Sequence, residues 1–280
     1  MQLTPRYGGE PVIRMASLID DPAIPLLRQR ARLAARLTGL DDEQWAATSR
    51  CAGWSVQDVV AHLTTTNQFW ALSVAAAVDG APTRFLAEFD PVATPAQLVD
   101  AVRSWTPAET LDHFLASNDA LAATIDGLDG ESWSAAAEAP PGHVAIGVLA
   151  LHALWDAWIH ERDVAIPLGL PLVEEPDEIA GSLAYVAGLG PAFLALTGST
   201  REATLELVTT DPQLHLVVEL GPSVVLRRGA PAPGGEIITL TGDAVELLEA
   251  LSFRVPLTAD LAADDRWVLG SLGQVFDQPA

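Results

Sequence analysis

Lysine is absent from this sequence: all fifteen basic residues are arginine. That excludes Schiff-base chemistry, a P-loop phosphate site and every other mechanism that needs a lysine amine. Basic residues of any kind are outnumbered by thirty-seven acidic ones, and the net charge is -22. A surface of that sign repels phosphate backbones and anionic lipids, so neither nucleic acid nor a membrane surface is an expected partner. The single cysteine, Cys51, leaves no internal disulfide framework and no multi-cysteine zinc site. The first fourteen residues, MQLTPRYGGEPVIR, lack an apolar signal core, and the expectation is a cytoplasmic protein.

One long uncharged run exists. Residues 179 to 200 carry no charge over 22 positions, long enough to cross a bilayer. Gly181, Gly188, Gly190 and Pro191 interrupt it, and alanine supplies much of its apolarity. It reads as a buried helix, broken near Gly190-Pro191, rather than a membrane span.

The 280 residues are 49% hydrophobic and 19% charged, enough apolar material for a core and roughly two domains. Apolar periodicity predicts a helix over 16–39 that stops at Gly39, and a second from Ser55 to about Ala77 that ends at Asp79-Gly80. Ser55-Val56-Gln57-Asp58 approximates a capping box, with Asp in place of Glu. A third helix is expected over 95–125 with a break at Thr106-Pro107, and a fourth from just after Pro140-Pro141-Gly142 to about Leu168. Four long helices with irregular loops suggest an antiparallel bundle. Residues 171–177, PLVEEPD, form a plausible linker.

Beyond the linker the pattern changes. A helical stretch at 178–196 is followed by short β-branched segments at 203–210, 214–220, 223–228 and 236–242, bounded by Asp-Pro, Gly-Pro and Gly-Gly. DAVELLEALS then reads as a helix opened by Asp243, and a last helix is expected over 265–276. The fold class is α+β: a four-helix bundle at residues 1–175 and a smaller α+β domain at 176–280.

The chemistry concentrates in LHALWDAWIHERDV, residues 151–164. His152, Asp156 and His160 recur every four residues, and at about 40° of drift per step they share one stripe. Flanking Leu151, Trp155, Trp158 and Ile159 turn that stripe inward. Inward His and carboxylate side chains one turn apart are how bundles build metal sites, and these ligand types suit zinc, nickel or iron. His62, in GWSVQDVVAHL, sits among Val59, Val60 and Leu63 and offers a third ligand from a second helix. A three-ligand set leaves coordination positions open for substrate. By itself, each histidine also fits a structural role in the core. Cys51, in the turn before Trp54, reads as structural. Asp163 could orient His160 from behind or cap the helix; the sequence leaves both open.

GWSVQDVVAHL, then WDAWIHERDV about 90 residues later with Leu168-Gly169-Leu170-Pro171 behind it, resembles the mycothiol-dependent maleylpyruvate isomerase family of DinB-like bundles. LTGDAVELLEALSFRVPL, residues 240–257, is similar to the end of that family's sterol-carrier-like C-terminal domain. The resemblance implies a metal, zinc being expected, held by His62, Asp156 and His160. Asp156 departs from the family's Glu and is one methylene shorter; His152 is the alternative ligand. The resemblance further implies mycothiol or another low-molecular-weight thiol as cofactor. It implies Arg254 as a catalytic cation for a small, electrophilic, anionic substrate, and an isomerase or transferase reaction. An Arg254 ion pair on the surface or between domains is the plainer alternative. A non-catalytic metal-stabilised binding or regulatory module and a metal-dependent hydrolase are the competing functions.

Overall fold

The structure, a computed structural model, describes residues 4–16 and 21–270. Its helices are α1 (Ala23–Leu37), α2 (Asp42–Ala46), α3 (Val56–Val78), α4 (Ala93–Ala101), α5 (Pro107–Ile125), α6 (Ile146–Ala165), α7 (Pro176–Leu196) and α8 (Ala244–Leu251). Its strands are β1 (Ile13–Met15), β2 (Ala136–Ala139), β3 (Gly142–Ala145), β4 (Ala203–Thr210), β5 (Leu214–Leu220), β6 (Val224–Arg228) and β7 (Ile237–Asp243). The bundle is α1, α3, α5 and α6.

Local chemistry sets the helix starts. Ser55 and Asp58 form the capping box that opens α3, the shorter Asp carboxylate still reaching the Ser55 backbone N–H at 2.9 Å. Thr106 and Glu109 do the same for α5, with Pro107 in its first turn, so the break expected there is real. Asp243 caps α8, its carboxylate accepting from the N–H groups of Val245 and Glu246.

Three expectations are corrected. The first helix begins at Ala23 rather than near 16, because Ile13–Met15 is extended and pairs in parallel with β6 at the edge of a sheet. The segment before α6 is not plain loop: β2 and β3 form an antiparallel hairpin, and α6 starts only at Ile146. Gly142 makes that hairpin possible. Its φ is +114°, and a Cβ there would lie 2.1 Å from the Arg6 carbonyl oxygen, so only glycine admits the N-terminal segment. Third, α7 is continuous through Gly190-Pro191. Its missing N–H removes one helical bond, and burial between bundle and sheet compensates: 89% of its most apolar window is inside the protein. α7 is a core helix.

The second unit is a five-stranded sheet in the order β1-β6-β5-β4-β7. β4 to β6 form an antiparallel meander, and β7 lies parallel to β4. The four strand segments foreseen between 203 and 242 match β4 to β7 to within a residue. α7 and α8 pack on this sheet, and α7 also packs on α6. Gly188 of α7 sits under β1, where a Cβ would come 2.8 Å from Ile13 Cδ1. One apolar cluster therefore runs from Trp155 and Trp158 in the bundle through Leu183 and Phe193 to Leu205 and Leu216 in the sheet. Residues 263–269 form a 3-10 helix where a helix over 265–276 was expected; positions from 271 on lie outside the described residues.

Candidate metal centre and its cavity

α3 and α6 present their polar stripes to each other. His62 Nε2 lies 3.6 Å from Asp156 Oδ1, and His160 Nε2 lies 3.6 Å from the same oxygen. The three ligand atoms fall within 4.8 Å of one another, and all three residues are buried. Two atoms each about 2.0–2.2 Å from one tetrahedral ion stand roughly 3.3–3.6 Å apart, so the set has the spacing of a metal site. The shorter Asp156 is no obstacle, because the helices bring its oxygen midway between the imidazoles. Burial raises the Asp156 carboxyl, but the hydrogen bond and charge of His62 and the charge of His160 outweigh it. The carboxyl is held well below the usual carboxylate range.

His152 is directed elsewhere. Its Nδ1 is 2.5 Å from the Tyr185 hydroxyl, and Trp70, Trp155 and Tyr185 enclose the ring. Burial pushes its pKa down to about 4, so it is neutral at pH 7. It lines the cavity without joining the triad.

Behind His160 stands Asp163, fully buried, one turn further along α6. Its Oδ2 is 3.0 Å from His160 Nδ1. Of the two roles the sequence left open, the structure places it beside the imidazole. Arg254, at the end of α8, donates to both oxygens of Asp163: Nε at 2.8 and 3.1 Å, Nη2 at 2.8 Å. Arg254 is thus on the wall of the site and in an ion pair at once.

Cys51 sits in the turn before Trp54, as its sequence position suggests, and its side chain also reaches the site. Its Sγ lies 3.2 Å from Asp163 Oδ2, 3.6 Å from His160 Nδ1 and 3.7 Å from Arg254 Nη2, on the cavity wall. Gly53 (φ +76°) turns the chain after it so that Ser49 N–H can reach the Trp54 carbonyl at 3.0 Å. Arg50 N–H is anchored to the Asp163 carbonyl at 3.1 Å. No spacing rule signals a residue brought to α6 from more than 100 positions away. Cys51, His160 and Asp163 form a second group of potential ligands that shares His160 with the first.

The triad opens into a cavity of about 1160 Å³. α3, α6, α7 and the end of α8 supply its walls, with the segment 86–98 across one side. Glu138 in β2, fully buried, holds that segment: it accepts from Thr83 Oγ1 at 2.6 Å and from the N–H groups of Phe85 and Leu86 at 2.8 Å. Tyr7 Oη donates to it as well, at 2.7 Å. Glu249 of α8 takes Arg50 in a two-pronged pair at 2.7 and 3.1 Å and Arg162 at 2.5 Å, fastening the α+β unit to the bundle beside the site.

Fold and site together define a class of protein: a four-helix bundle with an inward His–Asp–His cluster, closed over by an α+β unit. Within that class the relationship is specific. The model of the mycothiol maleylpyruvate isomerase N-terminal domain matches residues 26–165, half of the chain, and the chain belongs to that family. The crystal structure of the mycothiol-dependent maleylpyruvate isomerase superposes with a TM-score of 0.60 at 14% identity, over 85% of this chain and 90% of that one. A histidine-to-alanine mutant of that enzyme gives 0.59 at 14% identity, over 84% and 88%. At this identity the two structures establish a shared fold. No curated protein matches the sequence.

Proposed function

We propose that this chain is a metal-dependent, thiol-dependent isomerase or transferase acting on a small electrophile. The observation that carries the reading is the pair of 3.6 Å separations between Asp156 Oδ1 and the two imidazole Nε2 atoms. Two imidazoles and one carboxylate form a donor set suited to zinc.

His62, Asp156 and His160 would hold the ion. A bound ion would take the place of the His160 Nε2 proton, while Nδ1–H stays directed at Asp163, 3.0 Å away. The alternative group around Cys51 is the weaker candidate, since the Asp163 charge there is already matched by Arg254. A bound divalent ion supplies Lewis acidity that lowers the pKa of a coordinating thiol. A bound thiol, mycothiol or another of low molecular weight, would supply a nucleophile for an electron-poor double bond.

The chain's residues do the rest. The cavity walls would hold the two reactants together. Arg254, beside Cys51 on the wall, would donate to a negative oxygen of the substrate: a carboxylate, or the oxyanion that develops as the double bond is attacked. Family membership supports thiol dependence. The test is an assay of the metal-loaded protein with a panel of electrophiles, with and without thiol. Consumption that requires both metal and thiol supports the reading; consumption that ignores the thiol, as metal-dependent hydrolysis would, contradicts it.

A further inference from the structure

His152 is the histidine of α6 that stays outside the triad. It stands one turn before Asp156, about 6 Å back along the helix at about 1.5 Å per residue. It lines the cavity, and so does Leu189, one turn on from Tyr185 in α7. The His152–Tyr185 pair therefore sits where α6 and α7 meet at the cavity wall. Ring contacts with Trp70, Trp155 and Tyr185, at centroid distances of 4.7, 5.5 and 4.9 Å, hold the plane of the imidazole.

The Tyr185 bond decides which nitrogen carries the proton. Tyr185 has no exposed surface, and burial raises its hydroxyl well above the usual phenol range, so the hydroxyl keeps its proton. A buried O–H needs an acceptor. Among the described residues its hydrogen-bond partner is His152 Nδ1, at 2.5 Å. Nδ1 therefore accepts, and the ring, neutral at pH 7, carries its proton on Nε2. Nε2 bonds to no protein group among the described residues, and it is not one of the sealed, unpartnered polar atoms of the core. The cavity wall thus offers a neutral N–H donor, held in one tautomer and one plane, a helical turn from the Asp156 carboxylate.

We infer that His152 Nε2–H donates a hydrogen bond to a carbonyl oxygen of the substrate, and that Tyr185 is the positioning residue that keeps the proton on Nε2. The inference rests on the reaction proposed above and narrows its electrophile to a double bond conjugated with a carbonyl. As the thiolate sulfur bonds to the far carbon, the π pair moves through the conjugated unit onto the carbonyl oxygen. The N–H stabilises the charge arriving there. No proton leaves the imidazole in this step. Arg254, beyond His160 at the other end of the triad, remains the cation for a carboxylate.

Binding reads this donor without turnover. The probes are levulinate, a keto acid, and pentanoate, which has the same charge and chain length but no ketone, each titrated into the metal-loaded protein. Wild type is expected to favour levulinate about tenfold, the range of one added hydrogen bond. His152→Leu should bring the two probes level, and His152→Gln, whose amide N–H can take the place of Nε2–H, should keep part of the preference. Tyr185→Phe retains the ring but frees its tautomer. It should cut the preference severalfold and, in nitrogen NMR of isotope-labelled histidine, release the His152 proton from a fixed Nε2. Metal content should stay at the wild-type level in all three variants, since neither residue is a ligand. Equal or absent binding of both probes by wild type, a preference that survives His152→Leu, or a wild-type spectrum with the proton on Nδ1 overturns the inference. If His152→Leu does not fold, Tyr185→Phe and the wild-type spectrum decide it. Thiol-dependent addition to a conjugated ketone is measured in parallel, and His152→Leu should lower kcat by about 100-fold; an undiminished rate also overturns the inference. A levulinate preference that depends on His152, with no thiol-dependent turnover of any electrophile, would refute the proposed reaction while leaving the donor standing.

Discussion

Asp163 is the residue on which the site turns. One carboxylate, with no exposed surface, receives the His160 imidazole, the Arg254 fork and the Cys51 thiol. Burial raises its carboxyl, but His160 and Arg254 hold it well below the usual range, so it stays ionised through mild acid. Asp163→Asn should keep the side chain's shape and weaken its hold on His160, lowering metal affinity by about 10–100-fold; competition against a chromogenic chelator measures it. His152 makes an opposite kind of contribution. Its pKa of about 4 in the fold lies below the roughly 6.5 of an unfolded histidine, so the unfolded chain takes up the proton first. Stability is therefore full above about pH 6.5 and falls as pH drops toward 4, by up to roughly 3 kcal/mol. In urea titrations of the metal-free protein, His152→Gln should flatten that part of the profile. A slope equal to wild type would mean His152 is not buried as a neutral ring.

At the scale of elements, Gly142 offers the sharpest test. Ala there would put a methyl group into the Arg6 backbone and force a positive φ, and should cost about 3 kcal/mol by thermal melting. A melt unchanged from wild type would mean that the N-terminal segment does not lie against the hairpin. The same position shows where sequence legibility ends. Capping boxes at Ser55 and Thr106, the strand segments from 203 to 242 and the Asp243 cap are local signals, and they were readable because each element carries its own chemistry. The hairpin at 136–145, the pairing of Ile13–Met15 with β6, and the unbroken α7 depend on partners more than a hundred residues away or on burial from both sides. In the site, His62, Asp156 and His160 were legible from helix phase and apolar flanks, and the structure brings them together. Cys51 and the Tyr185 partner of His152 were not, since neither shares an element or a spacing with its neighbour in space.

The whole molecule is held by one core shared between bundle and sheet, inside a surface of net charge -22. Self-repulsion at that charge opposes compaction, and salt screens it: the Debye length falls to about 10 Å near 0.1 M. Thermal midpoints should rise by a few degrees between low salt and roughly 0.3 M sodium chloride; a fall would show that the ion pairs around Glu249 and Asp163 dominate instead. The α+β unit reaches the bundle through Arg50–Glu249, Arg162–Glu249 and Trp155–Ser252 contacts, and through them it carries Arg254 to the triad. The account rests on that triad as a metal centre. Its most direct test is the metal content of the purified protein by elemental analysis, wild type beside His62→Ala, Asp156→Asn and His160→Ala. The account predicts about one divalent ion per wild-type chain, zinc foremost, and a loss of most of it in each variant. Full occupancy in any of the three variants, or no metal retained or taken up by the wild type, would contradict it.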